Sequence, residues 1–450
     1  MPTRRGVGYK IYASQMKLGW IRAAKQMTSE LKSHSNSSDP SLSFSPSIMF
    51  QLPDLHISDN TQLVLGAAAC LGVVGVITGA YIQLEVNRSE SGLPLPPSPP
   101  TWRLWGHFLP SRTSFLTIGE WIGQYGPLIT IRVGTEKIVI IGRHKAAVDI
   151  MEKEGEALAD RPRMIAVGEM LSGGLLLGLI PVGDRFRRMR RVLHTHLQPK
   201  AAETYQPMQM SQAKKTVLDI LDDPYDFHNH VITCAATTVM KIAYGKDTPT
   251  TAADPAVKTV RQSLDKVHID LRPGGYLVDT IPWLKYLPFY GLELRLAFMG
   301  IRRHYTSQLN IVKQQLQSNT DVVPSFAKFI LENGPSYGIT ELEAAFLAGG
   351  IFGAGFTTTS SAICTVLLAA ACFPEEQAKV QDELDAVIGR HQAPTFADQE
   401  SLPCLQAFIY EALRWRPGPI ANGFAHRTTK DVIWENYCIP AGTTVFGNHW

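Results

Sequence analysis

Apolar and polar residues alternate along "PLITIRVGTEKIVIIG", break at Gly134 and resume, a pattern that predicts a β-hairpin. Spacings of three and four predict helices over "HKAAVDIMEKEG", "DRFRRMRRVLHTHL", "AAETYQPMQMSQAKKTVLDIL", "DFHNHVITCAATTVMKIAYG", "GLELRLAFMGIRRHYTSQLNIVKQQLQ" and "PSFAKFILEN". Two more follow at "PEEQAKVQDELDAVIG" and "PCLQAFIYEALRW". Alternation returns at "FAHRTTKDVIWENYCIPAGTTVFGNHW", read as a two-strand segment. No internal repeat interrupts this order. The pattern therefore describes one large helix-rich domain, mainly α with a small β-sheet (α+β).

Two stretches are apolar without periodicity. Residues 63–82, "LVLGAAACLGVVGVITGAYI", carry no charge and match the roughly 20 residues that cross a bilayer. They read as a transmembrane anchor rather than a signal peptide, because a long segment precedes them and no small-residue cleavage site follows. Residues 1–62 form a basic and then Ser-rich extension, read as disordered, with an organellar transit segment as the other reading. Residues 83–102 hold "SGLPLPPSPP", whose prolines favour a stiff extended hinge, and residues 103–450 form the body. Arg88 and Arg103 flank the apolar stretch on its C-terminal side, which places the body in the cytosol.

The second stretch, residues 344–373, is also uncharged. It begins at Thr340 and Glu343, the spacing of a helix capping box, and holds polar residues 357–361 at its centre. A buried core helix is the preferred reading, with a second membrane span as the rival.

Composition narrows the function classes. A chain of 450 residues, 45% hydrophobic, with a formal charge of +3, has no sustained Lys/Arg block to follow a phosphate backbone, so nucleic acid is not expected as a partner. Cys70, Cys234, Cys364, Cys372, Cys404 and Cys438 include no Cys-x-x-Cys pair, which removes zinc-ribbon and thioredoxin-like chemistry.

The chemistry is concentrated in two places. "GGIFGAGFTTTSSAI" sets glycines and three consecutive threonines inside the long apolar element, where small residues let another object approach the backbone. Close helix packing explains such glycines equally well. "YEALRWRP" then sets Glu411 and Arg414 three apart on one helical face, where carboxylate and guanidinium can pair.

In this order, with the anchor and proline hinge, these features resemble a membrane-bound cytochrome P-450, a heme-thiolate monooxygenase of the fungal microsomal type similar to the O-methylsterigmatocystin oxidoreductase-like group. The resemblance runs from the anchor to Trp450. It implies the cytochrome P-450 fold, heme as cofactor and electrons from NADPH through a flavoprotein reductase. It further implies a lipophilic substrate and a single-pass place in the endoplasmic reticulum membrane. Ala354 and Gly355 would make room over the heme, and Thr358 takes the position of the alcohol that assists proton delivery. Thr357 departs from the family, which usually has an acid there. Arg190 and Phe186 match the helix that touches a heme propionate, with Phe186 replacing a tryptophan, and His426 falls at a second propionate contact. Glu411 and Arg414 match the structural Glu-x-x-Arg pair. Ala348, Phe352 and Ile420 are expected to line the substrate pocket. The family's Phe-x-x-Gly-x-Arg-x-Cys-x-Gly loop does not occur in the sequence, so no axial cysteine is nominated among these residues. The resemblance thus implies a fold incomplete at its C-terminus. A membrane-anchored binding protein without oxygenase chemistry stands as the alternative, and an unrelated multi-pass membrane protein as a third reading.

Overall fold

The structure is a computed structural model describing residues 92–101, 106–107, 109–110, 113–133, 136–271, 274–318, 322–418 and 424–450. The extension, the anchor and Ile420 lie outside the described residues. The described part of the proline-rich stretch has no regular element, as its composition requires, yet it is bonded to the body. The carbonyls of Pro96 and Pro97 accept from Thr130 Oγ1 (2.9 Å) and N (2.7 Å), and that of Pro94 from Cys438 N (2.9 Å). Residues 94–97 therefore belong to the body rather than to a free hinge.

The hairpin forms as expected: β1 (Leu128–Val133) pairs antiparallel with β2 (Glu136–Ile141), Leu128 opposite Ile141. The C-terminal alternation resolves into four short strands rather than two. They are β3 (His426–Arg427), β4 (Val432–Trp434), β5 (Tyr437–Ile439) and β6 (Thr444–Gly447). β6 lies parallel to β2 and antiparallel to β3, giving the order β1-β2-β6-β3, while β4 and β5 form a separate hairpin turned by Glu435 at φ 52°.

The helices are α1 (Ser114–Tyr125), α2 (Asp184–Leu197), α3 (Gln206–Asp222), α4 (Phe227–Tyr244), α5 (Pro255–Asp270), α6 (Leu292–Gln317), α7 (Phe326–Asn333), α8 (Glu341–Cys372), α9 (Pro374–Val387) and α10 (Pro403–Trp415). The expected helix beginning at residue 201 breaks before Pro207. Pro199–Glu203 is a separate short helix, and α3 restarts at Gln206, where an early proline needs no intrahelical N–H bond. α5 was not expected, although Asp254 caps it by accepting from Ala256 N at 2.9 Å, with Pro255 in its first turn.

α8 is the axis of the main core. Thr340 and Glu343 form the anticipated capping box, and residues 343–349 are all buried. It packs on α4, α5, α6 and α7, with Phe352, Phe356, Val260, Tyr305 and Phe326 in one apolar cluster. The core reading therefore holds for its first half. Beyond Ser360 the helix opens outward, and Leu367 and Leu368 are 40% and 49% exposed.

Candidate functional site

The glycines of α8 fall into two groups. A side chain at Gly349 would overlap the ring of Tyr305, one at Gly353 would meet Val260 at 3.0 Å, and one at Gly355 would meet both methyls of Val239 in α4 at 2.9 Å. These three let neighbouring helices approach. Gly350 is different, since nothing lies within 4 Å of the position its Cβ would take. Gly350, Ala354 and Thr358 are spaced by four, so they share one face, and Ala354 and Thr358 on it are exposed.

Gly355 is thereby corrected: its missing side chain makes room for α4 and not for a ligand over the open face. Ala348 and Phe352 are corrected too. Exposed by 0% and 1%, they pack in the apolar core, because their spacing of four puts them on the same side as Phe356, away from Ala354. Phe352 stacks on Phe356 with centroids 5.0 Å apart.

Thr358 Oγ1 donates to Ala354 O at 2.8 Å, which fixes the hydroxyl along the open face while leaving its oxygen free to accept. Thr357 turns elsewhere. Its Oγ1 is buried without a hydrogen-bond partner, and its carbonyl accepts from Ser360 Oγ at 3.1 Å. The two neighbouring hydroxyls therefore sit in different surroundings, one exposed and one buried without a partner among the described residues.

α2 is tied to the start of α8 by a charge pair. Arg185 Nε donates to Glu343 Oε1 at 2.8 Å, and Glu343 Oε2 accepts from Thr340 N at 3.0 Å. Burial alone would raise the Glu343 carboxyl. The Thr340 donors and the Arg185 guanidinium outweigh it and hold the group below the usual carboxylate range. One turn further along α2, Arg190 is exposed and its guanidinium lies 5.9 Å from the centroid of Phe186. Among the described residues Arg190 has no carboxylate partner.

His426 is held by a chain crossing. Arg427 N donates to Asp160 O at 2.8 Å and Thr429 N to Ala157 O at 2.8 Å, which lays residues 157–161 alongside 424–429. Asp160, 6% exposed, fixes the crossing by accepting from Arg427 Nη2 (3.0 Å) and Val182 N (2.8 Å). His426 Nδ1 donates to Leu158 O at 2.6 Å, which assigns the proton to Nδ1 and leaves Nε2 unbonded among the described residues.

The same crossing carries a residue that motif matching did not single out. Arg161 Nη1 donates to the carbonyls of Phe424 (2.9 Å) and Ala425 (2.8 Å) and pairs with no carboxylate among the described residues. Burial, followed by the Arg161 charge, pushes His426 below its ordinary value despite the Leu158 bond. Two basic side chains thus stand together with no acid between them, the electrostatic signature of a place for an anion. Arg161 also lines a cavity of about 460 Å³ whose wall includes Met164, Leu179, Ile180 and Arg185.

Glu411 and Arg414 form the expected pair on α10, through bonds of 2.7 and 2.6 Å, with both side chains exposed. Cys438 is fully buried in β5 with Sγ 3.6 Å from Asp431 Oδ2, so it is no candidate for an iron ligand.

Comparison with known proteins bears on the family. The profile described as "Cytochrome P450" matches residues 96–450. A cytochrome P450 monooxygenase of Postia placenta, number 113, is 44% identical over 388 residues, covering 86% of this chain and 78% of the relative. Number 88 of the same fungus is 44% identical over 376 residues, covering 84% and 75%. A cytochrome P450 monooxygenase of Armillaria gallica is 33% identical over 385 residues, covering 84% and 73%. With a match along most of its length and relatives this similar, the chain belongs to the cytochrome P450 family.

Proposed function

We propose that this protein is a membrane-associated monooxygenase that inserts one oxygen atom of dioxygen into a lipophilic small molecule, with electrons drawn from NADPH through a flavoprotein reductase. The family implies heme, and the residues present fit its carboxylate edge: Arg161 and His426, basic and without an acid partner, suit the propionates, with Arg190 as a further cation. That unpaired basic pair is the observation on which the reading rests. When bound, heme supplies the activation of dioxygen.

The chain's own residues supply the rest. Gly350 and Ala354 keep the open face of α8 free of bulk. Thr358 holds a proton on Oγ1, and its rotation away from Ala354 O lets that proton be donated along the same face. Thr357 carries no ionisable group, so any relay through it passes between hydroxyls and water. The apolar wall of Met164, Leu179 and Ile180 supports the lipophilic substrate.

Association with the endoplasmic reticulum membrane, with the body in the cytosol, is supported by the uncharged residues 63–82. It is supported also by an exposed apolar strip on the body: Trp283, Tyr286 and Phe289 are 60%, 77% and 84% exposed. Aromatic rings so exposed suit the level of lipid headgroups.

The experiment is a hemin titration of the purified protein followed by a carbon monoxide difference spectrum. Saturable binding that weakens at least tenfold in Arg161→Ala and His426→Ala supports the reading, whereas binding indifferent to both overturns the propionate assignment. Absence of saturable hemin binding favours the alternative, a binding protein that keeps the cavity without the oxygenase chemistry.

A further inference from the structure

The outer edge of the larger sheet is covered rather than bare. β1 stands at one end of the order β1-β2-β6-β3, and a strand in that place offers unpaired backbone groups to any other chain. The proline-rich residues take these groups up. Thr130 N donates to Pro97 O at 2.7 Å and Thr130 Oγ1 to Pro96 O at 2.9 Å. Two residues further along the edge, Arg132 O accepts from His107 N at 2.7 Å, and Gly106 bridges Val133. Residues 94–107 thus strap the edge at two places.

Arg132 N is the exception, because its acceptor is a side chain. It donates to His107 Nδ1 at 2.9 Å, where a paired strand would offer a carbonyl. Nδ1 therefore carries no proton, and the ring hydrogen sits on Nε2, which donates to Pro99 O at 3.0 Å. Nδ1 also lies 3.4 Å from Arg132 O, too far to compete with the bond that this carbonyl accepts from His107 N. One imidazole joins the strap to β1, and only its neutral Nε2–H form makes both bonds.

The surroundings suit that form. His107 is 8% exposed, and its ring meets Trp121 of α1 edge to face with centroids 5.5 Å apart. Both ring nitrogens are taken by backbone groups, so no carboxylate is bonded to them. Residues 92–101 contain no ionisable side chain. The charged residues on the packed elements are Glu120 of α1, Arg132 of β1, and Glu136 and Lys137 of β2. Glu136 is engaged by Thr444 Oγ1 at 2.6 Å. Arg132 and Lys137, opposite each other in the hairpin, are both cations, so neither favours a second proton on the ring.

We propose that His107 is an acid-sensitive catch that fastens the proline-rich strap over the edge of β1. A proton added at Nδ1 removes the acceptor of Arg132 N and sets two N–H donors against each other. The edge is then released, and residues 94–101 join the linker ahead of the body. The catch is independent of the monooxygenase reading, since none of its residues belongs to the candidate site.

Hydrogen–deuterium exchange on the full chain between about pH 8 and 5, corrected for the intrinsic pH dependence of amide exchange, covers the range in which imidazoles change charge. Peptides over 128–133 are expected to exchange about tenfold faster at the acid end, the scale of one lost hydrogen bond. In His107→Asn, whose Oδ1 takes the place of Nδ1 and does not titrate, the acid step disappears. In His107→Ala the fast rate is present at both ends, so either variant decides if the other fails to fold. The catch is overturned if the natural protein shows no step or if a variant keeps it. It is overturned also if peptides from α8 accelerate equally, since the step then reports loss of the whole fold.

Discussion

The first half of α8 and the separate cluster of residues 165–171 with Val278 and Leu294 are both apolar, yet they are built differently. In α8, Gly349 and Gly353 remove side chains so that Tyr305 and Val260 can press on a regular helix. In that cluster Gly173 and Gly291 supply a left-handed backbone as well as closeness, and Asp279, which accepts from Ile165 N, and the Glu169–Lys285 pair do the joining. Contacts made by packing alone have no discrete partner to lose, whereas a carboxylate that joins two segments has one.

Substitutions along α8 can break that comparison. The largest effect is expected at Gly349→Ala, where overpacking against Tyr305, less the gain in helix propensity, lowers stability by about 2 kcal/mol. Urea unfolding of the purified protein reads it. A neutral result would mean that this core yields to an added methyl group.

Glu343→Gln comes next, at about 1 kcal/mol, since Arg185 is 42% exposed and its pairing is screened. The carboxyl of Glu343 is held below its ordinary 4.5, so its contribution is present above that pH and is lost as pH falls through the lower folded value. The variant should therefore show a flatter decline in melting temperature through that acid range.

A weaker slope is expected at higher pH. Burial lowers His196, His268, His304 and His426 from 6.5. The folded state then refuses protons that the unfolded chain accepts, so stability declines as pH drops below 6.5 toward the folded values. Thermal unfolding between pH 7.5 and about 5.5 tests the sign, and a rise in stability over that range would contradict the burial of these rings.

The smallest effect has the opposite direction. Gly350→Ala meets nothing within 4 Å and is expected to raise stability by roughly 0.5–1 kcal/mol through helix propensity. The same variant should weaken hemin binding if the open face is the one that heme covers. Neighbouring glycines with opposite signs would confirm that one serves packing and the other a surface kept bare.

Local signals were readable in the sequence. The Thr340 and Glu343 capping box, the limits of α2 and the hairpin at Gly134 depend on residues a few positions apart, where spacing alone decides. α5 was equally readable from Asp254 and Pro255 and was passed over. What spacing does not carry is the identity of a distant neighbour. Gly355 was assigned to the open face because nothing in its surroundings in sequence names Val239. Arg161 went unnoticed for the same reason, its carbonyl partners lying 263 and 264 positions away.

The parallel pairing of β2 with β6 has a consequence for synthesis. Glu136 and Thr444, bonded through their side chains at 2.6 Å, are 308 positions apart, and Ile138 of β2 lies opposite Thr444. A ribosome adding about 5–20 residues per second needs roughly 15–60 s between making the two strands. During that interval β2 presents its unpaired edge, with the apolar run Ile138, Val139, Ile140 and Ile141, to every other nascent chain nearby. The growing chain therefore carries this edge unpaired until residue 444 has been made.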